Sequence, residues 1–222
     1  MFDLIIDFLF PRFCIGCGKY GTDLCKKCYR ELSIAEQICP ECGIESSMGW
    51  THPKCQKKIG MDGLIAIYDY QDKTIRGLID GIKFDFNKGL IKAMLKYFRF
   101  ETGIEFDFLV PVPLHYYREN WRGFNQAEEI ARVIEKGMKV PTKRILIRER
   151  KTKQQSLMGS RKEREENIRG AFEIREEDKK LLLEKRVLLI DDVFTSGADM
   201  RECTRVLKKA GVEMVWGLAL AH

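Results

Sequence analysis

Seven of the eight cysteines in this 222-residue chain crowd between residues 14 and 55, and their spacing repeats. Cys14 and Cys17 form a CxxC pair, followed after seven residues by another, Cys25 and Cys28. Cys39 and Cys42 form a third, followed after nine residues by His52 and Cys55 with the same two-residue gap. The second block repeats the first at an offset of 25 to 27 residues, as a duplicated unit would, with His in place of one Cys. A CxxC turn brings two sulfurs close enough to share one ion, and two such turns complete a closed tetrahedral set. Four protein ligands with no open position describe a structural zinc site. Its metal would supply folding energy that so short a segment cannot draw from a hydrophobic core. Cys14, Cys17, Cys25 and Cys28 are the expected ligands of a first Zn²⁺, and Cys39, Cys42, His52 and Cys55 those of a second. The alternatives are a degenerate second block with an exposed His52, redox disulfides, or an iron–sulfur cluster. Cys203 stands apart on an expected helix and reads as a small buried hydrophobe.

Gly16, Gly18 and Gly21 match the dinucleotide-binding pattern GxGxxG letter for letter. That fingerprint requires a preceding apolar strand and a following helix. Here the glycines interleave with metal ligands and relax a zinc knuckle instead. Residues 1–10 (MFDLIIDFLF) are apolar but about half the roughly 20 residues needed to span a bilayer. A short docking helix ended by Pro11 is expected there, and no membrane span. The segment has neither a basic leader nor a cleavage pattern. A cytoplasmic location is therefore expected, where thiols stay reduced and clustered cysteines hold metal.

The composition changes after the cysteine module, so the expected division is 1–60 and 61–222. In the second part, strands are expected over 64–70, 106–112, 145–148, 168–174, 187–190 and 214–220. Helices are expected over 74–84, 90–98, 126–135 and 200–210, the last stopped by Gly211. Val187, Leu188, Leu189 and Ile190 form a continuous apolar run, as in a strand buried on both faces. The last strand–helix–strand unit predicts an α/β fold with a mainly parallel sheet. Ligands of such sheets gather beyond the carboxyl ends of the strands.

Asp191 and Asp192 end that apolar run, and Thr195, Ser196, Gly197, Ala198 and Asp199 follow as a small-residue turn into a helix. Free backbone N–H groups and the positive end of the helix suit a phosphate. The adjacent carboxylates suit ribose hydroxyls, or Mg²⁺ through water. Together they describe a site for a phosphoribosyl group, against the plainer reading of a capped strand end. The charge of +6 sharpens this. Residues 143–169 hold ten Lys and Arg against four Asp and Glu, while the rest of the chain is balanced at 29 of each. A localized cationic stretch suits pyrophosphate or a nucleic-acid backbone, or is simply a solvated loop.

The segment VLLIDDVFTSGADM, residues 187–200, resembles the 5-phosphoribosyl-1-pyrophosphate (PRPP) motif of phosphoribosyltransferases. The resemblance narrows to the ComF (ComFC, GntX-like) branch, which couples a cysteine zinc module to such a domain. Its other motifs match Tyr68 and Tyr70, Lys83 and Phe84, Pro111 to Leu114, Arg122 with Asn125 and Gln126, and Thr152 with Gln155 and Leu157. Arg161, Asn167 and Phe172 complete the set.

The resemblance implies a type I phosphoribosyltransferase-like sheet with flanking helices. Asp191 and Asp192 would be catalytic and hold the ribose diol, and Thr195, Ser196, Gly197, Ala198 and Asp199 would hold the 5′-phosphate. Pro111, Val112, Pro113 and Leu114 would contact pyrophosphate, helped by Arg118 and Arg122, with Mg²⁺ on the leaving group. Asp199 stands where the family usually has Thr; a carboxylate there loses a hydroxyl donor and repels phosphate, so tight PRPP binding requires it to turn outward or pair with a cation such as Arg201. Arg148, Arg150, Lys151, Lys153, Arg161, Lys162 and Arg164 would form a flap over pyrophosphate or a surface for single-stranded DNA, with residues 156–159 as its lid. The implied role is DNA uptake in natural transformation, with the competence helicase and other transformation proteins as partners. A working phosphoribosyltransferase acting on an unknown base is the alternative, and a scaffold that keeps PRPP only as a ligand is a third. Trp121 is the expected base-stacking residue and Trp216 a core one; His115 is expected at the surface, and His222 to be inert.

Overall fold

The computed structural model describes residues 11–100, 103–150, 152 and 160–222. The docking helix expected over 1–10, the lid at 156–159, and Lys151 and Lys153 lie outside them. In chain order the elements are α1 (Lys26–Arg30), α2 (Pro53–Ile59), β1 (Gly63–Tyr68), α3 (Lys73–Phe84), α4 (Gly89–Leu95), β2 (Phe108–Pro111), α5 (Tyr116–Arg122) and α6 (Gln126–Met138). They continue with β3 (Leu146–Arg148), α7 (Arg161–Ile168), β4 (Phe172–Ile174), β5 (Arg186–Val193), α8 (Ala198–Lys209) and β6 (Met214–Ala221).

Apolar continuity places the sheet. Val187, Leu188, Leu189 and Ile190 are all fully buried, as are Leu218 and Leu220 on β6. Four strands run parallel in the order β1-β6-β5-β2, so the two most apolar strands take the centre. One face is covered by Ile75, Leu78, Ile79 and Ile82 of α3, Leu90 and Ile91 of α4, and Ile130 and Ile134 of α6. The other is covered by Met200, Cys203 and Leu207 of α8 together with Leu146 and Phe172. Each large side chain so buried contributes about 1.5–3 kcal/mol. Cys203 and Trp216 are core residues, as expected. Trp216 is accommodated because β1 begins with Gly63, where an added Cβ would stand 2.6 Å from the indole ring.

The free edge of β1 is covered by the cysteine module. Ala35 N donates to Ile67 O at 3.1 Å, and Asp69 N donates to Ser33 O at 2.9 Å. The Gln37 amide donates to Ala66 O at 2.8 Å. The module thus satisfies backbone groups that an open edge would expose. His222, expected to be inert, joins the same seam through Nε2, 2.7 Å from Glu36 O.

The basic stretch departs from expectation. β3 and β4 pair antiparallel in a separate two-stranded sheet; Arg161–Ile168, in the expected flap, forms helix α7, and the strand expected over 168–174 shortens to Phe172–Ile174. Ser160 and Glu163 form a reciprocal capping box that starts this helix. Such a box outweighs the missing apolar stripe, for only Ile168 of α7 is buried. Among the described residues no helix is long and apolar enough to cross a membrane.

Candidate functional site

The two cysteine blocks fold into near-copies of one knuckle. Gly18 and Gly43 each follow the second cysteine of a CxxC pair, with φ of +72° and +71°. Gly18 N donates to Cys14 O at 2.7 Å, and Gly43 N to Cys39 O at 3.0 Å. A left-handed backbone there favours glycine, which explains the false dinucleotide pattern. The ligand atoms of Cys14, Cys17, Cys25 and Cys28 lie within 4.8 Å of one another, as do those of Cys39, Cys42, His52 and Cys55. Cys17 Sγ and Cys25 Sγ are 3.7 Å apart. A zinc tetrahedron with Zn–S of about 2.3 Å has edges of about 3.8 Å. In the second cluster His52 Nδ1 lies 3.3 Å from Cys42 Sγ, so His52 joins the cluster. Backbone amides support the sulfurs: Cys25 N donates to Cys14 Sγ at 3.3 Å, and His52 N to Cys39 Sγ at 3.5 Å. Burial acts against the Cys14 thiolate, yet the N–H groups of Cys25, Cys17 and Gly16 lower that thiol to about 6. Both donor sets fit structural zinc.

A cleft of about 690 Å³ opens at the carboxyl ends of β1, β2 and β5. Its walls bring together Tyr70, Lys83, Phe84, the loop from Val112 to Leu114, Arg118, Trp121, Arg122, Arg148, Arg164, Asp191, Asp192, Thr195 and Asp199. Asn125 fixes the loop after β2: its Nδ2 donates to Val112 O at 3.0 Å while its Oδ1 caps α6 by accepting from Ala127 N at 3.0 Å. The turn after β5 enters α8 through Gly197 at φ +69°, where a Cβ would stand 2.3 Å from the Phe194 ring.

The charges in the cleft are arranged in pairs. Lys83 Nζ lies 3.2 Å from Asp192 Oδ2, with both side chains largely buried. Burial would lower the Lys83 ammonium, but the Asp192 carboxylate outweighs it and holds the group above its ordinary value. Asp191 is pushed well up by burial, and further by the charges of Asp192 and Asp199. Arg148 NH1 lies 3.2 Å from Asp199 Oδ1. Burial and the neighbouring Arg148 lower the Arg118 guanidinium, and burial lowers that of Arg122. A half-buried wall of paired acids and crowded guanidiniums is suited to a ligand bearing both hydroxyls and concentrated negative charge.

Residues 92–221 match the phosphoribosyl transferase domain family. This chain belongs to that family. Residues 5–57 match the double zinc ribbon domain. Relatives of this phosphoribosyltransferase-domain chain include competence protein F of Haemophilus influenzae, 32% identical over 51% of this chain and 50% of that protein. Competence protein ComFC of Bacillus subtilis is 27% identical over 87% of this chain and 81% of its own length. The chain therefore spans only half the length of the Haemophilus protein. The resemblance to the ComF branch is borne out, as is the α/β fold with its zinc module. Among solved structures, glutamine PRPP amidotransferase from B. subtilis overlaps 60% of this chain and 25% of its own, at 20% identity and a TM-score of 0.38, too loose a likeness to bear weight.

Within this phosphoribosyltransferase domain, the expected residues separate. Asp191, Asp192, Thr195, Asp199, Val112, Pro113, Leu114, Arg118 and Arg122 share the cleft. Pro111 does not: it is buried in β2, paired in register with Ile190. Ala198 and Gly197 are buried as backbone of the turn, and Ser196 Oγ accepts from Ala198 N at 3.4 Å. The cation beside Asp199 is Arg148 rather than Arg201. Arg201 instead donates to the carbonyls of Ser196 and Pro40 and lies 3.4 Å from Glu41. Burial, then the nearby Arg161, lowers its guanidinium to about 10.

Two cations of the basic stretch, Arg148 and Arg164, turn into the cleft, while Lys143, Arg144, Arg150, Arg161, Lys162 and Arg169 stay exposed. Arg148 is buried, Arg164 lines the cleft, and Arg161 is bonded to Glu41 and Glu165. Arg150 donates to Asn167 O and Arg169 O, both at 2.8 Å, and Lys162 is exposed. His115, expected at the surface, is buried and caps α5, its Nδ1 accepting from Tyr117 N at 3.4 Å. The Lys83–Asp192 contact had no signal in the sequence, where the two residues belong to separate motifs.

Proposed function

We propose that this chain is a competence-related protein whose α/β domain binds PRPP or a close phosphoribosyl relative. One observation carries the reading: paired carboxylates, a small-residue turn at the start of α8 and four guanidiniums (Arg118, Arg122, Arg148 and Arg164) converge on one cleft. In this reading Asp191 and Asp192 accept from the ribose hydroxyls, with Lys83 holding Asp192 in place. Thr195, Ser196, Gly197 and Ala198 cradle the 5′-phosphate with backbone N–H groups. The loop of Val112, Pro113 and Leu114, with Arg118 and Arg122, faces the pyrophosphate. Arg148 and Arg164 support the same reading, because these two cations of the basic stretch line the cleft. The acid pair is a poor cage for Mg²⁺, since Lys83 already neutralises Asp192; the ion would arrive on the ligand's own phosphates. Two Zn²⁺ ions, one per cluster, complete the proposed holoprotein, whose thiolate ligands suit the reducing cytoplasm.

Calorimetric titration of PRPP against the wild-type chain and Asp191→Ala tests the reading. Micromolar binding by the wild type, lost in the variant, is the expected result; no binding by either would end it. Pyrophosphate release across a panel of bases tests for turnover.

A role on single-stranded DNA is favoured by a different surface from the flap. Trp121 is 63% exposed beside Arg118 and Arg122, and Tyr116 and Tyr117 are exposed nearby. Bases can stack on such a group while the arginines meet the backbone. Fluorescence anisotropy over a salt series should show affinity falling with salt and weakened by Trp121→Ala. The competence helicase and other transformation proteins are the partners implied by the ComF resemblance.

A further inference from the structure

We propose that Asp199 acts as the cleft's own counter-anion, its carboxylate standing where a ligand phosphate would be held, so that an entering phosphate must displace it. The proposal rests on the phosphoribosyl reading above and concerns which residue limits it. Arg148 is anchored with unusual completeness for an arginine. Its side chain is 3% exposed. Its NH2 donates to Thr152 Oγ1 at 2.5 Å, and its guanidinium lies 5.1 Å from the centre of the Phe172 ring. Phe172 is Arg148's own register partner across the β3–β4 pair, so backbone pairing sets that stacking.

The remaining face of the guanidinium meets Asp199 at 3.2 Å. Its Nε is buried with no acceptor among the described residues, so the group has donor capacity beyond its present partners. Asp199 belongs to the first turn of α8, where the helix dipole also favours negative charge. Its carboxylate therefore engages the two features, a buried guanidinium and a helix N-terminus, that would otherwise attract a phosphate dianion. Asp199 lines the same cleft as Asp191, Asp192 and Thr195, which puts it on the ligand's side of the wall. A hydroxyl at this position would donate to phosphate, whereas a carboxylate repels it.

The test is calorimetric titration of PRPP, ribose 5-phosphate and unphosphorylated ribose against wild type, Asp199→Thr and Asp199→Asn, with zinc content matched. Both variants should bind the two phosphorylated ligands at least tenfold more tightly, with ribose unchanged. Asp199→Asn keeps the side-chain shape and serves if the threonine variant fails to fold. Unchanged or weaker binding in both variants, or an equal gain for ribose, would overturn the inference and leave the phosphoribosyl reading intact. No PRPP binding by any of the three proteins would overturn both.

Discussion

The two zinc ribbons share a knuckle yet are fastened to the α/β domain in different ways. The first lies against the face formed by α3 and α4. Ile15 packs where α3 carries Gly77 and Gly81, and Asn87 Nδ2 donates to Asp23 Oδ1 at 2.8 Å. The second faces α7 and α8, and the two residues inside its CxxC turn are held by arginines from those helices. Arg161 and Arg201 both meet Glu41, and Arg201 also takes the Pro40 carbonyl. Arg201 further donates to Ser196 O in the turn that enters α8, so the second ribbon is hydrogen-bonded to that turn through one side chain. The two ribbons are similar units; different neighbours make one a brace for a helical face and the other a brace for the turn that enters α8.

The largest effect comes from removing metal. Cys14→Ser and Cys39→Ser should each drop zinc by one ion per chain, measured by elemental analysis. Each would forfeit about 10 kcal/mol of metal-binding free energy from its ribbon. Thermal unfolding should shift down in both, while PRPP affinity should fall further in Cys39→Ser; equal loss in both would break the contrast between the ribbons. Next comes Arg201→Met. Its side chain is 10% exposed, and breaking so buried a set of contacts costs about 3–5 kcal/mol. Urea denaturation reads that loss, and the variant should bind PRPP more weakly while keeping both zinc ions.

Asp191→Asn should show an opposite sign. The folded-state value of Asp191 lies above its ordinary 3.8, so its relative stability is complete below about pH 3.8 and is lost as pH rises through the folded value. Above its ordinary range the buried acid therefore costs stability, and Asn should raise stability at pH 7 by on the order of 1 kcal/mol, the scale of one like-charge contact. The gain should shrink toward pH 4, and ligand binding should fail at both. The smallest effect is expected at exposed Lys162: alanine there should leave stability within about 0.5 kcal/mol. If DNA lies on α7, the same change lowers the salt slope by about one; an unchanged slope places DNA elsewhere.

Much of this was legible beforehand where chemistry is local. The CxxC spacing identified all eight candidate ligands, and the apolar run of β5 located the acid pair at a strand end. Helices whose stability comes from caps and ion pairs were harder to see. α5 buries no side chain and α7 buries one, so periodicity alone could not find them, although Ser160 and Glu163 carried a capping signal. His115 next to a loop suggested exposure, but the turn into α5 folds it inward as a cap. Charge located the basic stretch but not the partners of its side chains: Arg148 meets Asp199, Arg161 meets Glu41 and Arg164 lines the cleft wall, while Arg150 and Lys162 stay exposed.

The order of residues along the chain therefore decided whatever depends on neighbours a few positions apart: the knuckles, the strand–turn–helix from β5 into α8, and which strands are apolar enough to take the sheet centre. Tertiary structure alone decided the pairings across the fold: Lys83 with Asp192, Arg148 with Asp199, and Arg201 between Pro40 and Ser196. Backbone geometry constrains short-range contacts almost completely, because few conformations join residues so close. Long-range ion pairs have no such constraint. Any of the 39 basic side chains has the chemistry to meet any of the 33 acidic ones, and only packing of the helices and ribbons around one sheet selects the partners.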